Sequence, residues 1–402
     1  MRAELSPAAR LPGSRRPQAL VLRSFYFAFY GTVGCYLVFF APYLRGLGFS
    51  GEQVGLVQMV SPVVSVAATL LWASIADWLQ AATRALRWCA LLALASMIYL
   101  PWARTPLQVA AVLLAHNLMA PALVPLSDSV SFAWLRREGG SYAQIRLFAT
   151  LGGFVLVQGM GVLLWARGDR PGDIAVPVAL LACAAAYAAV AQRLPHAPPA
   201  DRRPRLADLR ELAQGGRLRL LLGVCLLHWL CYAPYDLLFG VFLHDVGLPS
   251  SLTGLVLVGG TLREMAMLAA FPALERRLGG GHLLALTFAA AALRWGLLSA
   301  STSVAGIALL QVLHGAMSGL FWGTVVQLIS TLVPARLRVT GHAWFAAFVV
   351  GLGNTLGYRL AGLGYDRLGG SAPLFGLAAL VELAPLSLVL LFGHRLTPKD
   401  PT

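Results

Sequence analysis

The sequence predicts an all-α membrane protein with twelve transmembrane helices in two six-helix halves, and three observations support this fold class. Hydrophobic residues make up 58% of the 402 residues and charged residues only 12%, about half the charged share of an average soluble domain. Apolar stretches of about 20 residues, the length that crosses a hydrocarbon core, recur along the chain. A basic, proline-rich stretch near the middle divides them into two groups of six.

Glycine, proline and charged residues separate the apolar stretches and so set the ends of the expected spans. The first stretch is too long for the core of a cleaved signal peptide and has no small-residue cleavage site after it, so we expect an uncleaved first helix. The twelve spans are expected near 20–43, 53–76, 86–102, 107–134, 144–165, 174–193, 218–243, 252–274, 283–300, 304–333, 340–363 and 372–393.

Basic residues are distributed unequally between alternate loops. With the N-terminus placed inside, 23 of the 31 basic residues lie on the inner side and five on the outer side. Cytoplasmic loops carry the excess of Arg and Lys in membrane proteins, so both termini are expected in the cytoplasm. The net charge of +14 therefore indicates loops that face anionic lipid, and no nucleic-acid partner is expected.

The longest hydrophilic stretch, 194–217, is expected to be a basic cytoplasmic linker. It would join an N-terminal half at 20–193 to a C-terminal half at 218–393, with cytoplasmic tails at 1–19 and 394–402. A weak internal repeat favours this division, because the Gly-Leu-Val at 55–57 recurs at 254–256. Duplicated halves of this kind are typical of transporters.

The chemistry-bearing motifs of enzymes do not occur in the sequence. It contains no HExxH, GxSxG or Walker-type glycine loop, and a membrane-embedded enzyme is therefore disfavoured. The five cysteines lie in apolar surroundings without CxxC spacing, so no disulfide framework and no metal site are expected. No cofactor is expected either.

Ionisable and polar side chains inside the spans are the best functional candidates, because such groups are costly in hydrocarbon unless they face a partner or a water-filled cavity. They occur in both halves, which favours a central cavity. A stripe of Gln58, Ser61 and Ser65 is a further candidate for its lining. The main candidates are Asn117, Asp128, Arg146, Tyr232, Tyr235, Asp236, Glu264, Arg294 and His314.

Several of these residues also have purely structural interpretations. Asp128 and Arg146 could form an ion pair near the cytoplasmic end, and Glu264 and Arg294 could bridge neighbouring helices. His314 could be a packed histidine beside a doubled GxxxG pattern, which permits close helix approach. Glu382 is expected to be structural and to pair with Arg359 or Arg263.

The order of several motifs resembles the phenylpropionate permease-like branch of the major facilitator superfamily. The chain has Pro-Leu-Ser-Asp at 125–128 and Tyr-Ala-Gln-Ile-Arg-Leu-Phe at 142–148, where that branch has PL-x-D and YG-x-x-R-x-W/F-G. Ala143 and Ala149 replace its two glycines. The superfamily's loop motif after span two is weaker here: Asp77 is kept and Arg84 follows, but the glycine and the adjacent basic residue are lost.

The lactose permease, a more distant relative in that superfamily, is similar in the placement of its charged residues. Asp128, Arg146, Asp236, Glu264, Arg294 and His314 occupy comparable spans. Its proton-coupling glutamate three residues after the histidine is Met317 here. The resemblance therefore leaves open which carboxylate carries the proton, and Glu264 or Asp128 would have to take more of that role.

The resemblance implies roles for the candidate residues. Arg146 or Arg294 could bind a substrate carboxylate, between aromatic walls. The implied substrate-binding set is Tyr30, Asn117, Asp128, Arg146, Tyr232, Tyr235, Arg294 and Trp322. The implied proton-coupling set is Asp236, Glu264, Arg294 and His314, and Asp77 and Arg84 are implied as a gating motif.

The sequence and its resemblance together predict a secondary transporter that works by alternating access in the inner membrane of a bacterium. Its expected partners are a small-molecule substrate, protons and the lipid bilayer, and a monomer is expected. The predicted activity is proton-coupled symport of an aromatic acid such as phenylpropionate. Proton-driven efflux of hydrophobic compounds, sugar or nucleoside symport and, more distantly, a non-transporting membrane sensor remain alternatives.

Overall fold

The computed structural model describes residues 15–78, 82–196, 215–334 and 337–396. Helices follow one another through these ranges, and no β-strand occurs within them. The helices are α1 (Arg15–Gly46), α2 (Gly51–Gln58), α3 (Val60–Trp78), α4 (Ala82–Met97), α5 (Pro106–Asn117), α6 (Leu123–Glu138), α7 (Tyr142–Ala166), α8 (Ala175–Ala191), α9 (Gly216–Asp245), α10 (Ser250–Ala300), α11 (Val304–Leu332), α12 (Arg338–Phe345), α13 (Gly353–Leu368) and α14 (Ser371–Phe392).

Over the described ranges these helices make the twelve passes that the sequence predicts, and the fold class is confirmed. The second pass joins α2 to α3, and the fourth joins α5 to α6 through a short 3-10 turn. The eleventh joins α12 to α13 through a π-helical segment, Ala346–Leu352. α10 supplies the eighth and ninth passes, because its backbone turns at Gly279, which has a φ of 74° that favours glycine.

Eight helical segments of the described chain are long and apolar enough to cross a bilayer. The other passes are shorter or interrupted, as in the 17-residue α8. Most of the predicted linker, at 197–214, lies outside the described residues, as do positions 1–14 and 397–402 of the predicted tails. The domain boundaries therefore stay predictions.

The even number of passes defines two ends of the bundle. The described chain begins and ends at one end, here named the terminal end. The opposite end, here named the distal end, holds the turns at 47–50, 98–105, 167–174, 246–249, 301–303 and 369–370.

Close backbone contacts between the halves lie toward the distal end. A Cβ atom at Gly55 of α2 would lie 2.4 Å from the carbonyl oxygen of Tyr358 in α13. A Cβ atom at Gly161 of α7 would lie 2.1 Å from the carbonyl oxygen of Ser250 at the start of α10. Only glycine permits such approach, so the two halves are closed against each other at the distal end.

Glycine also controls packing inside the C-terminal half. The doubled GxxxG pattern of α11 faces the first part of α10, and a Cβ atom at Gly315 would lie 2.0 Å from the carbonyl oxygen of Gly260. Gly319 and Gly323 face Met267 and Phe271 in the same seam. Without a hydrophobic force between helices in lipid, this close packing is what holds α10 and α11 together.

Replacing Gly315 with Val is expected to destabilise the protein, because the added side chain would overlap the backbone of α10. The cost should be about 1–3 kcal/mol or more, typical of overpacking, and should appear as a lower Tm in detergent. Gly259→Val is the matched control, because a Cβ atom at Gly259 meets nothing within 4 Å. An equal loss of Tm in both variants would contradict the seam.

Candidate functional site

A cavity of about 630 Å³ lies between the two halves. It is bounded by α1 to α6 and α8 from the N-terminal half and by α9, α12, the π-helical segment and α13 from the C-terminal half. Its wall is mainly apolar, and its polar side chains converge from both halves. They are Thr32, Tyr36, Gln58, Ser61, Ser65, Thr69, His116, Asn117, Tyr187, Asp236, Asn354 and Tyr358.

The C-terminal half supplies the acidic group of the cavity. Asp236 on α9 accepts a hydrogen bond from the hydroxyl of Tyr358 on α13. Nearby, Asn354 accepts a hydrogen bond of 2.6 Å from the indole N–H of Trp229. Among the described residues that line the cavity, Asp236 is the one carboxylate, and they include no arginine or lysine.

The N-terminal half supplies neutral hydrogen-bonding groups. The hydroxyl of Tyr36 on α1 donates to Gln58 Oε1 at 2.6 Å. Asn117 at the end of α5 donates to Ser61 Oγ at 2.7 Å. Each bond joins two helices, so the network fixes the helices of this half around the cavity and leaves amide and hydroxyl groups facing it.

The polar lining coincides with interruptions of regular helix. Gln58 and Ser61 flank the junction of α2 and α3, and Asn117 precedes the turn after α5. Asp236 lies two residues after Pro234, which cannot donate the usual helical hydrogen bond. Asn354 follows the π-helical segment, a kind of distortion often found at functional sites. Transporters commonly bind substrate at such discontinuities, where backbone groups become available.

A sequence profile of the MFS_1 like family matches residues 19–376. The chain belongs to this family. The predicted resemblance to the major facilitator superfamily is thus confirmed, and the relatives of the chain include one named for 3-phenylpropionic acid.

Named relatives of the chain are transporters. It is 29% identical over 336 residues to the maltose permease of Geobacillus stearothermophilus, covering 82% of this chain and 83% of that protein. It is 25% identical over 299 residues to the probable 3-phenylpropionic acid transporter of Escherichia coli, covering 72% and 76%. It is 23% identical over 377 residues to the xanthosine permease of Escherichia coli, covering 87% and 88%.

Solved structures show the same fold. The crystal structure of the nucleoside transporter NupG superposes with a TM-score of 0.83 at 16% identity, covering 95% of this chain and 100% of that chain. The family and the named relatives, together with this fold, identify the protein as a multi-pass membrane transporter for a small molecule and not an enzyme, as the sequence predicts.

Of the sequence-predicted site residues, the transporter places Asn117 and Asp236 on the cavity wall. The Gln58, Ser61 and Ser65 stripe lies there as well. The other predicted binding and coupling residues lie outside the cavity lining, most of them in two clusters, one in each half, and their roles stay predictions. The side chain of Asp77 lies outside the described residues, and Arg84 is exposed near the start of α4.

The cluster of the N-terminal half is organised by tyrosines. Asp128 accepts hydrogen bonds from Tyr26 at 2.5 Å and from Tyr142 at 2.7 Å. Arg146 donates to the hydroxyl of Tyr30 and lies over its ring, with 4.2 Å to the ring centroid. Asp128 and Arg146 are thus each held by tyrosines, and no direct ion pair between them occurs in the described structure.

The cluster of the C-terminal half surrounds a fully buried arginine. Arg294 lies over the rings of Tyr235 and Trp295, at 4.2 and 4.5 Å from their centroids, and donates to Gln311 Oε1 at 3.3 Å. The rings of Tyr232 and Tyr235 pack against His314. Among the ion pairs of the described residues, none joins Arg294 to Glu264.

Trp322, the remaining aromatic candidate, packs against Trp229 and Phe345 of the same half. The ring centroids are 5.7 and 5.9 Å apart, in T-shaped contacts. Trp229 in turn reaches Asn354 on the cavity wall. Trp322 therefore contacts the cavity residue Asn354 only indirectly, through Trp229.

The prediction that Glu382 pairs with Arg359 or Arg263 is wrong. The Glu382 carboxyl lies 2.6 Å from His228 Nδ1, and both side chains are buried between α9 and α14. Arg359 instead pairs with Glu52 of the other half at 2.6 Å. Sequence spacing gives the depth of a residue in its span but not the direction of its side chain. The pairing of Glu382 with His228 on α9 could therefore not be predicted from the sequence.

Removing Glu382 alone is expected to destabilise the transporter, since it leaves a buried histidine without its partner. Breaking a buried pair typically costs about 3–5 kcal/mol, whereas replacing both members with apolar residues is often neutral. We expect Glu382→Leu to lower Tm strongly and the double variant His228→Leu, Glu382→Leu to recover most of the loss. A double variant as unstable as the single one would contradict this purely structural role.

Proposed function

We propose that the transporter imports a neutral, hydroxylated solute with a flat ring, in the class of nucleosides, together with a proton. The observation that carries the proposal is the lining of the cavity. It combines amide and hydroxyl groups with aromatic rings and one carboxylate, and its described residues include no arginine or lysine. Such a wall suits a neutral solute that can hydrogen-bond and stack.

The volume and the ring positions agree with this class. A cavity of about 630 Å³ lies within the range of pockets that enclose small organic ligands. Phe29, Tyr36 and Tyr358 lie on its wall and can pack against a planar ring. Gln58 and Asn117 can bond ribose-like hydroxyls. The relatives named for maltose and xanthosine support a sugar or nucleoside substrate.

An aromatic acid is the second candidate, supported by the relative named for 3-phenylpropionic acid. One structural observation favours it: the fully buried Arg294 has one guanidinium nitrogen without a hydrogen-bond partner. An anion could satisfy this group. However, Arg294 and Arg146 lie outside the present cavity lining, and a carboxylate in the cavity would face Asp236 without a cation.

The substrate class can be tested by uptake into cells that lack their own carriers. Cells that express the transporter would receive a labelled nucleoside, maltose or phenylpropionate, with and without a protonophore. We expect protonophore-sensitive accumulation of the nucleoside, with weak or no uptake of phenylpropionate. Accumulation of phenylpropionate alone would overturn the neutral class and favour the second candidate. Substrate extrusion would instead support efflux.

Asp236 is the carboxylate that we propose as the proton carrier. It faces the cavity, so it can take up a proton while the cavity is open to one side of the membrane and release it to the other. Protonation removes the acidic charge from the wall and changes the hydrogen bond that joins α9 to α13 through Tyr358. Substrate and proton would thereby act on the same pair of helices.

Asp236→Asn is expected to abolish protonophore-sensitive accumulation, because the amide cannot exchange a proton. Exchange of labelled for unlabelled substrate should continue, since it requires no net proton movement. Glu264→Gln is the comparison, because Glu264 is the other expected coupling residue and lies outside the cavity lining. If Glu264→Gln uncouples uptake while Asp236→Asn does not, the proton carrier is Glu264.

We further propose that the terminal end faces the cytoplasm, as the distribution of basic residues predicts. Under this orientation the structure is closed toward the outside and carries its cavity on the cytoplasmic side of the closed contacts. The proposal also retains the inner membrane as the location and a monomer as the functional unit. Alternating access would then require the distal contacts to open.

A further inference from the structure

The distal contacts between the halves include a cap on the first residues of α2. Ser50 and Gln53 form a capping box that satisfies the backbone N–H groups of both residues. The next orphan donors, the N–H groups of Gly51 and Glu52, donate to the two carboxylate oxygens of Asp366 at 2.8 and 2.7 Å. Asp366 belongs to α13, so a carboxylate of the C-terminal half completes a helix start in the N-terminal half.

A weaker cap of the same kind, with one hydrogen bond in place of two, occurs in the opposite direction at α10. The residue before this helix is Pro249, which provides no side-chain cap. The N–H of Ser250 instead donates to Asp169 Oδ2 at 3.3 Å. Asp169 follows α7 in the N-terminal half, in a turn where its φ of 48° is unusual for a residue other than glycine.

The two caps are related by the repeat that the sequence contains. Ser250 lies 199 positions after Gly51, which is the offset of the Gly-Leu-Val repeat, and Asp366 lies 197 positions after Asp169. Each carboxylate lies at the distal end of the fifth pass of its own half and reaches the first helical residue of the second pass of the other half. Each cap also lies beside one of the two glycine contacts.

Helix starts expose unsatisfied N–H groups and the positive end of the helix dipole, so a carboxylate there is stabilising. Because each cap joins one half to the other, this stabilisation exists only while the distal end is closed. The other charged groups at the α2 cap are Glu52 and Arg359, which pair with each other across the halves. Arg45 lies over Tyr365, next to Asp366, at 4.9 Å.

We propose that Asp169 and Asp366 form a reciprocal latch that holds the distal gate closed. Each half contributes one carboxylate to a helix start of the other half, and all three hydrogen bonds must break when the gate opens. The latch therefore sets the population of the open gate and leaves the cavity unchanged. It rests on the alternating access of the proposed function but not on any substrate.

The latch can be tested by removing the Asp366 cap and measuring the reactivity of a cysteine introduced at the other cap, where Asp169 contacts the start of α10. Thr253 on α10 is 4% exposed and belongs to the Asp169 side of the gate, whereas Asp366 caps α2. We would place Thr253→Cys in the full chain in detergent and follow maleimide labelling of position 253 by peptide mass spectrometry. The five native cysteines can then remain in place.

Asp366→Ala is expected to raise the labelling rate at position 253 by about three- to tenfold, the size of effect that loss of a helix cap produces. The double variant Asp169→Ala, Asp366→Ala should raise it further. Asp366→Glu, which keeps the carboxylate, should label close to the parent rate. If Asp366 stabilises only α2, Asp366→Ala would loosen that helix and leave the labelling rate at position 253 unchanged.

Asp173→Asn is the matched control. Asp173 lies in the same distal region, but it pairs with Arg167 at 2.9 Å and caps Ala175 within its own half. Burial alone would raise the pKa of Asp173, but Arg167 and the Ala175 N–H lower it, so the control also removes an ionised carboxylate. No change with Asp366→Ala, or an equal change with Asp173→Asn, would overturn the latch. Because the readout needs no substrate, a wrong substrate class would not affect it.

Discussion

Backbone hydrogen bonding in hydrocarbon is the constraint on which this structure depends. In the bilayer core no water can satisfy an exposed N–H or C=O group, so the chain must cross as helices whose bonds are internal. Where a helix is interrupted, its freed groups need a polar neighbour or water. The interruptions after Gln58, after Asn117 and before Asn354 all lie on the cavity, and Asp236 lies there two residues after Pro234, which lacks a backbone N–H. The site is thus located where regular helix is given up.

The two kinds of close contact in the molecule have different consequences. Inside the C-terminal half, Gly315 and its neighbours pack α11 against α10 over several turns, which favours a permanent seam. Between the halves, the close contacts are short and are joined by bonds to helix starts, such as those of Asp366. A gate that must open needs contacts that water can replace at little cost, and backbone N–H groups at a helix start meet this requirement.

The sequence predicted the fold well because hydropathy and span length are direct consequences of the bilayer. It also predicted that polar residues of both halves would face a cavity, and Asn117 and Asp236 do line it. Partners were harder to predict, because spacing along one helix does not show which helices meet. Glu382 pairs with His228, and Arg359 pairs with Glu52 instead. Tyr358 was missed, since a single tyrosine in an apolar span resembles an ordinary packing residue.

The latch could not be predicted from the sequence, because its two carboxylates do not follow the internal repeat in register. The glycines at 55 and 254 align at the repeat offset of 199 positions. Asp169 and Asp366 are 197 positions apart and lie near loops, so the alignment does not pair them. Only the fold brings each of them to the other half. Because the two caps are related by the same pseudo-symmetry as the halves, opening one contact without the other would strain the rigid bundles. Both caps are therefore expected to break in one transition, which makes the gate cooperative without any direct contact between Asp169 and Asp366.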